Sequence, residues 1–137
     1  MVYSAQAYRN VTAQTVGPGQ VILMLFDGAL RFLERARAGF QLQDPLEFNL
    51  TIHNNVQRAQ AILSELNACL DMEAGGELSQ TLRRLYNYFD RRLQESNRRK
   101  QPQGIDEVIA RLSELRSAWA QMLQQQAMPT EAAHVAS

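Results

Sequence analysis

From Ile52 the chain places Val56, Ala59, Leu63, Leu66 and Leu70 at alternating steps of four and three residues. That spacing averages about 3.5 residues, the seam along which one helix packs on another, and a strand cannot produce it. Three further segments carry a helical period, and nothing alternates convincingly at period two. The first opens at Gly17-Pro18, with proline at the first helical position, and runs to about Gly39 on Ile22, Leu25/Phe26, Ala29, Phe32/Leu33 and Ala36. The seam segment opens at Asp44-Pro45-Leu46-Glu47, where Asp44 and Glu47 form a capping box, and Gly75-Gly76 stops it. The third runs from about Glu77 to Asn97 with Leu78, Leu82, Leu85, Phe89 and Leu93 inward, ended by Gln101-Pro102-Gln103-Gly104. The fourth runs from about Ile105 to Gln124 on Ile105, Val108/Ile109, Leu112, Leu115, Trp119 and Met122.

Short connections force sequential helices to lie antiparallel, so the expected fold is all-α, an antiparallel up-down four-helix bundle. Its domain covers residues 17–124. Residues 1–16 are only weakly amphipathic and read as a mobile N-terminal arm. Residues 125–137 are Gln/Ala-rich without periodicity and read as a disordered tail.

The chain's 137 residues suit one domain with a single core, and formal net charge is zero. A whole-molecule attraction to nucleic acid or to an anionic membrane is therefore not indicated. The longest apolar stretch is far below the ~20 residues needed to span a bilayer, so no membrane insertion is expected. Tyr3, Ser4, Gln6, Tyr8 and Asn10 break any apolar run that a secretory signal would need. A lone cysteine, Cys69, cannot form an internal disulfide, which fits a cytoplasmic protein.

Catalytic equipment is not visible. His53 sits near the edge of the seam, but Asn54-Asn55-Val56-Gln57 follows instead of the lysine and glycine that a phosphotransfer helix presents. Glu131 and His134 give the only Glu-x-x-His spacing, without a second copy, so no metal site is expected. Cys69 reads as a small buried thiol. No phosphate-cradling glycine loop or nucleophile elbow stands in the chain, so neither cofactor nor enzymatic activity is expected. The third helix is loaded with Arg83, Arg84, Arg91, Arg92, Arg98, Arg99 and Lys100. Its plain reading is a solvated face. Its functional readings are an acidic partner surface or, more weakly, RNA backbone. Tyr86 and Tyr88 flank the inward Phe89, and one of them must stand at the border of the core.

Val21 to Phe26 is a run of six apolar residues, Val-Ile-Leu-Met-Leu-Phe, inside the first helix. A helix places a residue every ~100°, so the run covers the whole circumference although only one stripe can face the core. The surplus must be covered by this chain or by a partner, which points to binding rather than chemistry.

Gly-Pro-Gly-Gln-Val-Ile-Leu-Met-Leu-Phe-Asp-Gly-Ala at 17–29 resembles the first-helix signature of the flagellin-specific export chaperones, the FliS family. Ala7-Tyr8, Leu70-Asp71-Met72-Glu73-Ala74-Gly75-Gly76-Glu77, Leu85-Tyr86-Asn87-Tyr88 with Arg91-Arg92-Leu93, and Ile105-Asp106-Glu107-Val108 ending in Ala118-Trp119 follow in family order. Any one is weak; the ordered set is specific. The chain departs from the family at Gly17-Pro18-Gly19-Gln20, where Ser/Thr-Pro-Glu-Glu is common, and loses acidic residues that favour a helix start. It also has Asn87 where the family has aspartate, and Ala74 where lysine is usual.

The resemblance implies a cytoplasmic bundle that holds the disordered C-terminal segment of flagellin and, when loaded, meets the flagellar export gate. Whether the empty protein forms a weak homodimer stays open. Candidate client contacts, by position on or beside apolar faces, are Tyr8, Met24, Asp27, Ile52, Asn55, Tyr86, Asn87 and Arg91. Asp27 and Gly28 interrupt the apolar first helix, where a helix–helix contact needing a small residue is an equal reading. The runner-up function is an unrelated helical adaptor or RNA-binding regulator using the arginine-rich third helix.

Overall fold

A computed structural model of the chain describes the backbone of residues 17–136 and the side chains of residues 17–127. The expected N-terminal arm, Tyr8 included, lies outside the described residues. Among the described residues four helices follow in order: α1 (Pro18–Gly39), α2 (Pro45–Ala68), α3 (Gly76–Arg99) and α4 (Gln103–Ala136).

Cross-helix pairs fix direction and register. Gly28 lies against Ile62 and Gly39 against Thr51 and Ile52, so α1 and α2 are antiparallel. Asn97 Nδ2 donates to His53 Nδ1 at 3.0 Å, Gln60 Nε2 to Gln94 Oε1 at 3.1 Å and Asn67 Nδ2 to Asn87 Oδ1 at 3.0 Å, which gives the same sense to α2 and α3. Arg37 meets Asp106, Asp27 meets Arg116 and Gly19 meets Trp119 along α1 and α4. Both α1 and α3 pack on α2 and α4, and neither diagonal pair is adjacent. The architecture is the up-down-up-down bundle that the four periods imply.

Leu25, Leu33, Ile52, Val56, Leu63, Leu66, Phe89, Leu93, Ile105, Val108 and Leu112 fill the core. Each large aliphatic or aromatic side chain buried this way contributes roughly 1.5–3 kcal/mol before chain entropy is counted. Phe32 is only half-buried, and the guanidinium groups of Arg35 and Arg58 cover its ring at 5.5 and 5.7 Å.

Helix boundaries depart from the periodicity in three places. First, α2 ends at Ala68 with Cys69 as its cap, ahead of Gly75-Gly76. The intervening loop is built by Asp71, whose Oδ1 accepts from the backbone N–H groups of Glu73 (3.1 Å) and Ala74 (2.9 Å). Gly75 and Gly76 instead launch α3; Gly76 has φ +54°, and a Cβ on Gly75 would collide with the Ser79 hydroxyl. Second, Leu78 points outward at 67 % exposure while Ser79 takes the inward position, its Oγ donating to the Asp71 carbonyl at 2.9 Å. The loop, not leucine periodicity, sets the rotation of that first turn. Third, α4 continues past Gln124 to Ala136, a stretch in which glutamine and alanine favour helix but Pro129 does not. Side chains of the expected tail beyond Ala127 lie outside the described residues.

Capping explains the remaining ends. Asp44 Oδ2 accepts from Glu47 N–H at 2.9 Å, the forward half of the expected capping box. The start of α1 has no capping side chain and no acid in its first turn. Trp119 leaves the N–H groups of that turn uncapped but donates its indole N–H to the Gly19 carbonyl at 2.9 Å, tying the turn to α4.

Candidate functional site

The apolar run of α1 divides in two. Val21, Leu25 and Phe26 are buried, with Phe26 edge-on to Trp119 at 6.5 Å, whereas Ile22, Leu23 and Met24 are half-exposed. Leu23 forms one wall of an open cleft of about 390 Å³ between α1 and α4. Gln20 and Leu23 line it from α1; Arg116, Ala120, Leu123, Gln124 and Ala127 line it from α4. Leu123 also seats against Gly19, where any side chain would collide with its methyl group. The cleft thus has an apolar floor and polar ends, the make-up of a groove that accepts an amphipathic helix. Beside it, Arg116 Nε donates to Asp27 Oδ1 at 2.8 Å across the α1–α4 seam.

Among the described residues two other apolar surfaces are exposed. Leu42, Leu46 and Leu50 stand at four-residue spacing from the α1–α2 connection into α2, with Leu46 at 66 % exposure. Leu78 stands alone at the start of α3.

The candidate contacts are scattered rather than gathered. Met24 is half-exposed on α1, and Asp27 holds the ion pair just described. Asn87 is exposed at the α2–α3 seam, and Arg91 is exposed on the outer side of α3. Ile52 is fully buried and Tyr86 nearly so, both members of the core instead of a surface. Burial pushes the Tyr86 hydroxyl up to about 12. Asn55 is buried in α2 with Nδ2 on the Thr51 carbonyl at 2.8 Å and Oδ1 unpaired. Tyr88 is the border tyrosine, its hydroxyl donating to Glu107 Oε2 at 2.7 Å. Leu123 and Ala120 line the cleft and Leu46 is exposed on α2, three positions that the sequence reading does not single out. Leu46 and Leu50, four apart just outside the Ile52 seam, were the signal in the sequence for a second apolar edge.

The comparisons with known proteins decide the family. The family model "Flagellar protein FliS" matches residues 1–126. The chain belongs to the FliS family. It is 36 % identical over 121 residues to the flagellar secretion chaperone FliS of Salmonella typhimurium, covering 85 % of this chain and 87 % of that protein. To those of Vibrio cholerae and Bacillus subtilis it is 30 % and 32 % identical, covering 87 % and 86 % of this chain and 88 % and 84 % of theirs. Membership in the FliS family sets aside the reading of an unrelated RNA-binding regulator working through α3.

Among the described residues no three His, Cys, Asp or Glu side chains converge as a metal site would require, and no helix is long and apolar enough to cross a membrane. His53 is engaged by Asn97 within the α2–α3 seam, and Cys69 is half-buried at the end of α2. The strongest polar cluster joins α3 to α4. Glu107 accepts from the Tyr88 hydroxyl and from Arg92 Nε, both at 2.7 Å, and Arg111 lies 3.4 Å away. The Tyr88 hydrogen bond, followed by that of Arg92, holds the Glu107 carboxyl below its usual range.

Proposed function

We propose that this protein is a cytoplasmic flagellar export chaperone that holds the C-terminal segment of flagellin and presents it to the export gate. The observation carrying this reading is the apolar surplus of α1, which leaves Leu23 facing Leu123, Ala120 and Ala127 in an open cleft. An amphipathic helix of the client fits that geometry, laying its apolar face on the floor while Gln20, Gln124 and Arg116 meet its polar edges. A disordered client must order as it binds, and the entropy lost offsets part of the contact energy. Release then needs no ATP, no cofactor and no catalytic residue.

Met24 and Asp27, on α1, touch the client directly in this reading, whereas Asn87 and Arg91 stand on α3, away from a helix seated in the cleft. Ile52, Asn55 and Tyr86 act from beneath by holding the helices at the spacing the client needs. We infer that the N-terminal arm competes with the client for the cleft, whose α1 wall begins at Gln20, three residues beyond Gly17. Deleting residues 1–14 then tightens client binding or leaves it unchanged, whereas a large loss of affinity would make Tyr8 a client contact instead.

Calorimetric titration with the C-terminal ~50 residues of the same organism's flagellin tests the core of the proposal. Tight one-to-one binding with a large negative heat-capacity change is expected. Leu23→Glu and Leu123→Glu should each weaken it at least about tenfold, since a carboxylate would be desolvated in the groove. Full affinity in both variants would remove the cleft from the mechanism, and absence of any complex would remove flagellin.

A further inference from the structure

We propose that the outer face of α3 is a docking surface for an acidic polypeptide segment, read by Arg84, Arg91 and Arg98. These three arginines are exposed and recur at seven-residue spacing. Seven residues are nearly two full turns, so the guanidinium groups form a row with steps of about 10 Å. Tyr86, Phe89 and Leu93 bury the opposite side of the helix, so the row follows its outermost line. Because α3 packs, among the described helices, only on α2 and α4, this line faces away from α1 and from the cleft beside it.

Charge is concentrated here in a chain that is neutral overall. From Gly76 to Lys100 stand seven of the 14 Lys and Arg residues but only three of the 14 acids. The other cations of α3 are engaged. Arg92 pairs with Glu107, Arg99 with Glu95, Arg83 donates to Asn67 and Lys100 donates to Asn97. Arg84 reaches only the Thr81 hydroxyl at 3.3 Å, and no carboxylate is paired with Arg91 or Arg98 among the described residues. The positions that could neutralise the row within the helix are largely Gln80, Thr81, Asn87 and Gln94. Glu95, the exception, turns to Arg99. Like charges about one Debye length apart repel, so the row does nothing for the isolated fold.

An acidic protein segment suits the row better than RNA does. A helical partner repeats its own carboxylates every seven residues with the same rise, and the flanking amides offer neutral hydrogen bonds. RNA needs exposed rings for stacking, and α3 has none on this line: Tyr86 is buried and Tyr88 is committed to Glu107. Asp90 and Glu95, both exposed on the helix, would also repel a continuous phosphate chain.

The test uses the full chain and a fluorescent alanine-based peptide of about 20 residues carrying glutamates at seven-residue intervals, enough to span the roughly 21 Å from Arg84 to Arg98. Anisotropy should report binding at low salt that weakens as salt rises, with none for the glutamine version of the peptide. The triple variant Arg84→Gln/Arg91→Gln/Arg98→Gln should bind about tenfold more weakly, the effect of three exposed ion pairs. The Arg31→Gln/Arg35→Gln variant on α1 should stay within about twofold. Equal loss in both variants, binding of the glutamine peptide, or tighter binding of a single-stranded RNA oligonucleotide would each overturn the proposal.

Discussion

Replacing Gly104 by alanine tests whether the close approach of α3 and α4 is what holds the cluster around Glu107 together. Gly104 is buried in the first turn of α4. A Cβ there would stand 2.6 Å from the Arg92 carbonyl oxygen and 3.1 Å from Ser96 Cβ, where ordinary contact begins at 3.4 Å. Going from 2.6 to 3.4 Å means that the helices must part by about 0.8 Å, and the obstructing atom is backbone, which cannot rotate aside. Overpacking of this kind costs about 1–3 kcal/mol. Alanine's lower unfolded-state entropy returns about 0.4–1 kcal/mol, so the net is a destabilisation of about 1–2 kcal/mol. With a urea slope near 2 kcal/mol/M, the midpoint should fall by roughly 0.5–1 M. Gly28→Ala is the matched control. Its Cβ would meet Ile62 Cδ1 at 3.2 Å, and that methyl group is the end of a flexible side chain. There the helix-propensity gain wins, and stability should rise by about 0.5–1 kcal/mol. Opposite signs in the two urea curves are the expected result. A Gly104→Ala protein as stable as the parent would show that the α3–α4 approach is not tight and that the argument from backbone obstruction is wrong.

Two further substitutions probe polar groups. Glu107 has a folded-state carboxyl held below its usual range, so the stability it contributes is present above about pH 4.3 and is lost as pH falls through the lower folded value. The difference in urea midpoint between the parent and Glu107→Gln should therefore be constant from about pH 5 to 7 and close below about pH 4, and a difference that widens on acidification would refute the assignment. Asn55 leaves Oδ1 buried and unpaired, so Asn55→Leu should hold or raise stability by up to about 1 kcal/mol, whereas Asn55→Asp should lower it by about 2 kcal/mol or more at neutral pH. Thermal melts of the two variants measure both, and a strongly destabilised leucine variant would mean that the amide is satisfied after all.

The bundle was legible because each buried stripe lies within one helix and repeats several times. Ile52, Val56, Ala59, Leu63 and Leu66 all reach the core as their spacing requires. Periodicity misled where a loop keeps the rhythm without being helix. Leu70 continues the seam and packs against the core, yet α2 has already ended at Ala68. Leucine spacing likewise put Leu78 inward, when the bond from Ser79 to Asp71 fixes that turn the other way. The cleft was illegible for a different reason. Its walls, Gln20 and Leu23 on one side and Leu123 to Ala127 on the other, lie about a hundred residues apart in sequence. They face each other only because Trp119 reaches Gly19, Arg116 reaches Asp27 and Arg37 reaches Asp106, three bonds that set one register along the α1–α4 seam. The two polar bonds at Asp27 and Gly19 therefore matter less for stability than for where the apolar floor lies. Exposed pairs such as Asp27–Arg116 contribute little to folding free energy. A chain can keep its bundle while losing them, and would then present a differently shaped groove to whatever it binds.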